Sequence, residues 1–155
     1  MSLLNKNSTV DIPLYYQEKP TATGFTRIIV LEDEKGKSLL EKQEQDIKQG
    51  KKVEDDVSVH VLNTKWKTLS WKDQNEVTKK SMIYSQVEDR QDIDLFMFRD
   101  ARLKTCLKSW DLKDEFNNVV PVSKEIIDEL PADVVFALIT KYDRITSLTP
   151  EEEKN

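Results

Sequence analysis

FRDARLKTCLKSWDLKD, Phe98 to Asp114, is the stretch on which the fold turns. Read with the residues just before it, Ile93, Phe96, Leu103, Leu107 and Trp110 recur at near-heptad intervals, and Arg99, Arg102, Lys104 and Lys108 fall between them. That period belongs to an amphipathic helix with one face in a core. Asp92 or Asp94 supplies an N-cap, so the spacing predicts a central core helix from Asp94 to Trp110, ended by the acidic DLKDE. Phe98 falls off the main stripe and is expected to face outward.

Toward the C terminus, Asn117-Asn118 is turn chemistry leading through Pro121 to Ser123, an N-cap for a short helix over Lys124 to Glu129. Pro131 cannot lie inside that helix but suits the first turn of another, whose apolar face is Val134, Val135, Leu138, Ile139, Tyr142 and Ile145. Toward the N terminus, Ser70 with Asp73 three residues on opens a helix over SWKDQNEVTKKSMIYSQ, with Trp71, Val77, Met82 and Ile83 on its apolar edge. VEDRQD then reads as a charged linker. Val57, Val59 and Val61 alternate with Ser58, His60 and Leu62, the period of a strand, with a helix as the rival reading. From Phe25, the residues Ile28, Ile29, Leu31, Leu39, Leu40 and Ile47 follow a rough helical spacing that Gly36 could kink and Gly50 could stop. In Met1 to Thr23, Pro13 and Pro20 interrupt the apolar group Ile12, Leu14, Tyr15 and Tyr16, which suggests an extended arm that docks through its tyrosines.

Composition favours the same class. Three glycines in 155 residues are few for a protein built on tight β-turns, and 34% charged residues against 37% hydrophobic suit helices with solvated outer faces. The expected fold is mainly α: a small single-domain helical bundle over residues 24–148 with room for one short strand or hairpin. An extended N-terminal arm (1–23) precedes it, and a disordered acidic tail (149–155) follows.

The net charge of -5 is spread over interleaved lysines and carboxylates, leaving no basic face for nucleic acid. No apolar run is long enough to span a membrane or serve as an export signal. Cys106 stands alone, which excludes an internal disulfide and fits a reducing cytoplasm. With His60 as the single histidine, clustered metal-ligand spacing is absent. The carboxylates at Asp111, Asp114 and Glu115 and at Asp89, Asp92 and Asp94 have no companion nucleophile, calcium-loop pattern or cofactor motif. Neither catalytic residues nor a metal nor a cofactor is expected, and the chain reads as a non-enzyme. Binding by aromatic side chains is the remaining chemistry. Trp66 and Trp71 flank KTLS as core edge or as an exposed anchor, and with Phe98, Tyr15 and Tyr16 they are the candidate partner-binding residues.

Three segments carry a resemblance: TKWKTLSWKDQNEVTKKS, FRDARLKTCLKSWDL and VPVSKEIIDELPADVVFALITKYDRI. From Thr64 onward, the order of the aromatic pair, Ser109-Trp110-Asp111-Leu112, Pro121-Val122-Ser123 and Leu130-Pro131 resembles that of tail assembly chaperones of tailed bacteriophages and prophages. One departure is the turn Glu115-Phe116-Asn117-Asn118, which has no glycine. The resemblance implies binding without catalysis in the cytoplasm of the bacterial host, with the tape measure protein and tail tube protein as partners and self-association open. It also implies a longer frameshifted product, for which the codons of Glu153-Lys154-Asn155 could supply a slippery heptamer. Two alternatives come from other classes: a structural tail or head-tail connector component of the virion, and an acidic phage-encoded inhibitor of a host protein.

Overall fold

The computed structural model describes residue 4 and residues 8–146; the expected tail at 149–155 and most of the first residues of the expected arm lie outside them. The chain is an α+β protein rather than a helical bundle. Strands β1 (Thr9–Pro20), β2 (Thr26–Leu31), β3 (Val59–Lys67) and β6 (Leu107–Trp110) form an antiparallel sheet in the order β2-β1-β3-β6. Helix α1 (Asp33–Lys48) connects β2 to β3. Between β3 and β6 come α2 (Trp71–Ser81), a separate hairpin of β4 (Met82–Ser85) and β5 (Arg90–Ile93), and α3 (Leu95–Cys106). Helices α4 (Lys124–Glu129) and α5 (Ala132–Thr146) complete the fold.

Scarcity of glycine misleads because of this topology. Within the four-stranded sheet only β1 and β2 are joined by a tight turn, and there Gly24 takes φ 86°. Helices make the other connections, and of the three further left-handed positions among the described residues one is Gly50 (φ 79°), after α1, and two are held by Asp89 (φ 47°) and Asn117 (φ 63°). Asx side chains tolerate that conformation better than other non-glycine residues. Asn117 therefore does in the 114–118 turn what a glycine would do, with the Asp114 carboxylate accepting from the Phe116 and Asn118 N–H groups at 2.9 Å.

The residues read as an arm are the sheet's second strand. Its prolines are tolerated because each missing N–H points where, among the described residues, no strand lies. Thr21 N–H donates to Phe25 O, so the odd-numbered residues of β1 bond toward β2 and the even-numbered ones toward β3. Pro13 lies beyond the end of β2, and Pro20 beyond the end of β3. The Pro13 carbonyl, left without a strand partner, accepts from Lys141 Nζ of α5 at 2.6 Å.

The opening stretch is also two elements. The helix stops at Cys106, and Leu107–Trp110 turns into β6, pairing Leu107 with Trp66, Ser109 with Lys65 and Trp110 with Thr64. Lys108 is the extra residue of a β-bulge, which brings Leu107 and Trp110, three apart, onto the same buried face. A bulged strand has thereby produced the spacing of a helix.

One face of the sheet, with Ile12, Leu14, Leu62 and Trp66, packs on α3, α4 and α5 through Leu103, Ile127, Leu138 and Tyr142. Trp66 stacks on Tyr142 with ring centroids 4.8 Å apart. The polar atoms enclosed there are paired: Trp66 Nε1–H donates to Thr64 Oγ1 and Thr64 Oγ1–H to Ile12 O, both at 2.7 Å. The opposite face receives α1. Its Gly36 is buried against Tyr15, and Gln43 pairs with both backbone groups of Val59 through its side-chain amide, at 2.7 and 3.1 Å. That amide takes the place of a neighbouring strand at the start of β3, where β6 does not reach.

Candidate partner-binding surface

Of the five aromatic residues singled out above, one is a free surface group. Trp66 is 1% exposed and belongs to the core, so it is removed from the candidates: as an even-numbered residue of β3 it points into the packed face. Tyr15 lies on the α1 face, half-buried against Gly36 with Lys141 Nζ 5.9 Å from its ring. Tyr16 is half-buried on the other face, stacked on His60 at 5.3 Å, and burial together with Glu18 and Asp111 holds its hydroxyl above the usual tyrosine range. Phe98 is half-buried under the Arg102 guanidinium, 5.2 Å from the ring centroid, and Arg102 continues to Asp143 of α5 at 2.5 Å. These three side chains tie elements together.

Trp71 is 80% exposed. It opens α2 behind a capping box in which Ser70 Oγ accepts from Asp73 N–H and the Asp73 carboxylate accepts from Ser70 N–H. Val77, six positions on, is buried; six residues turn the helix to about 120° away, which leaves Trp71 in solvent.

The larger apolar surface lies where a charged linker was expected. Met82, Ile83, Tyr84 and Ile93 are exposed on the β4-β5 hairpin, and Val87 in its turn is 97% exposed. Leu95, Phe96 and Met97 extend this exposure into the first turn of α3, with Phe96 at 74%. Below the hairpin, Asp94 N–H donates to Ser81 O at 2.8 Å, and the Asp94 carboxylate accepts from Met97 N–H at 2.9 Å. The turn is closed by the Tyr84 hydroxyl on the Asp89 carboxylate, which raises the Tyr84 pKa, and by Arg90 between Glu88 and Asp92. A two-stranded hairpin is marginal alone. Here it is fastened at its base and tip while its apolar side chains face water, an arrangement associated with binding surfaces. Ile83 and Tyr84 beside a polar turn were the available signal for a hairpin; the run of helix formers before them hid it.

Cys106 and His60, the residue types of a thiol nucleophile and its base, are not assembled as a site. Cys106 is fully buried, its thiol pushed up by burial, with Sγ 3.5 Å from the Tyr142 hydroxyl, while His60 stacks on Tyr16. Among the described residues no group of three or more His, Cys, Asp or Glu could hold a metal ion, and no helix is long and apolar enough to cross a membrane. Comparison with protein-family models, with curated proteins and with solved structures gives no match to this chain.

Proposed function

We propose that this chain is a non-enzymatic tail assembly chaperone of a tailed bacteriophage or prophage, working in the cytoplasm of its bacterial host by binding the tape measure protein. The observation that carries the reading is the apolar band from Met82 to Met97, offered on a fastened hairpin and the start of α3. A tape measure protein is a long helical chain whose apolar stripes need cover before the tail tube surrounds them. Met82, Tyr84 and Ile93, which share one face of the hairpin, can supply that cover together with Val87 in its turn and Phe96 beside its base by burying against an amphipathic helix, with apolar area removed from water as the driving force. Support also comes from the resemblance of the segments around Trp71, Trp110 and Pro121.

The test is co-expression with the tape measure protein encoded in the same gene neighbourhood. The expected result is a soluble complex that Val87→Asp with Phe96→Asp weakens by about 30-fold or more, the loss of one hot spot, while the circular dichroism of the variant stays unchanged. A tape measure protein that remains insoluble, or binding indifferent to both substitutions, overturns the reading. Finding the chain in purified particles would favour the virion-component alternative. Mass spectrometry of the native gene expressed with its downstream DNA checks separately for a product extended past Asn155.

A further inference from the structure

Helix α5 reaches Thr146 beside the start of α2. A cavity of about 360 Å³ there is lined by Val10, Leu69, Arg102, Tyr142, Ile145 and Thr146, and Ile145 is still 51% exposed. Leu69 is followed by the Ser70 cap and then by Trp71, 80% exposed at the head of α2. The outer face of that helix is basic. Lys72, Lys79 and Lys80 are exposed on it against one exposed carboxylate, Glu76, while Asp73 is taken up by Lys67. Among the described residues none of those three exposed lysines has an ion-pair partner. Lys72 and Lys79 are seven positions apart, which sets them on one line of the helix about 10 Å from each other.

We propose that the residues that follow Thr146, SLTPEEEKN (147–155), occupy this surface: Leu148 fills the cavity, Pro150 covers one face of the Trp71 indole, and Glu151, Glu152 and Glu153 lie along α2 beside Lys72 and Lys79. Length permits it. At about 3.3 Å per residue, Pro150 reaches ~13 Å from Thr146 and Glu153 ~23 Å, while Trp71 is two residues from Leu69, which lines the same cavity as Thr146. Charge selects it. The tail carries three carboxylates against Lys154, whereas residues 1–7, which leave from the same end of the molecule because Thr68 N–H donates to Ser8 O, carry Lys6 and no carboxylate. Ion pairs at an exposed surface contribute little each, so Leu148 and Pro150 supply the contact area and the glutamates set the direction in which the tail runs. Attachment to α5 keeps the tail's local concentration high without a large interface. A partner that takes Trp71 as an anchor has to displace the tail first.

Trp66 and Trp110 are buried, so acrylamide quenching of the full chain reads Trp71. Leu148→Ser with Pro150→Ser is expected to raise the quenching constant about twofold, since one of the two ring faces opens to water. Lys72→Glu with Lys79→Glu gives the same rise, and adding Glu151→Lys, Glu152→Lys and Glu153→Lys to that variant restores the protection. Zero-length carbodiimide crosslinking, read by peptide mass spectrometry of the 18.1 kDa band, joins a glutamate of 151–153 to Lys72 or Lys79. The yield falls at about 0.5 M salt, where exposed charges are screened. Cooperative thermal unfolding of each variant shows that the fold is kept. Quenching indifferent to the tail substitutions and to the charge reversals, crosslinks from 151–153 that go only to other lysines, or crosslinks found only between two chains overturn the proposal.

Discussion

Gly36 shows how one side-chain position can be decided by tertiary contact against local preference. Inside a helix glycine costs about 1 kcal/mol relative to alanine, yet a Cβ at this position would lie 2.3 Å from Tyr15 Cβ. Gly36→Ala is therefore expected to destabilise the protein by about 1–3 kcal/mol, as overpacking does, despite the gain in helix propensity; urea unfolding monitored by circular dichroism measures it. A second prediction concerns Cys106 and Tyr142, neighbours in the core whose pKa values are both raised, chiefly by burial. In the unfolded chain the thiol ionises from about pH 8.5 and the phenol from about pH 10. Between those values and the higher folded ones the unfolded state holds fewer protons, so stability present at neutral pH falls as pH rises. The midpoint of thermal unfolding should drop progressively above about pH 8.5, and Cys106→Ala should remove the earlier part of that slope.

At the scale of elements, α5 is tied to β1 and to the start of α1 by Lys141, whose largely buried side chain reaches Pro13 O and the Asp33 carboxylate. Lys141→Met keeps the aliphatic stem but leaves that carbonyl without its donor. A loss of about 1–3 kcal/mol is expected, coming mainly from the carbonyl because the half-exposed Asp33 can be solvated; addition of salt should therefore change the difference between variant and parent only slightly. Elements whose signals are local were readable: the capping box at Ser70, the N-cap at Ser123, and a new helix after Pro131 depend on residues within a turn of one another. Strands were harder. β1 carries a clean alternation of Val10, Ile12, Leu14 and Tyr16, but its prolines mark it as broken unless the ends of its neighbours are known. β6 was concealed by its bulge, since Leu107 and Trp110 keep helical spacing in a strand.

For the whole molecule, the hairpin holds the proposed binding surface apart from the core that carries stability. The paired strands of the hairpin form a sheet of their own, while the central cluster is built from β1, β3, β6, α3, α4 and α5. Replacing residues 83–92 by a short Gly-Ser linker should shift the unfolding midpoint by less than about 5 °C and abolish capture of the tape measure protein, read by thermal denaturation and co-purification on the same variant. The candidate surface was legible only in part: Trp71 stood out as an aromatic behind a cap, whereas Tyr84, Val87 and Phe96 lay in a segment read as helix end, linker and core stripe. By itself the sequence determined the starts of the helices with strong local caps and an alternation read from Val57, of which the part from Val59 is strand β3, because those features are written in neighbouring residues. Only the tertiary structure decided that the arm is a central strand, that Trp66 is core and the hairpin surface, and that the molecule is α+β. Sheet pairing joins residues such as Leu14 and Leu62, far apart in the chain, and whether a proline, a bulge or an apolar side chain is tolerated there depends on what lies across the gap.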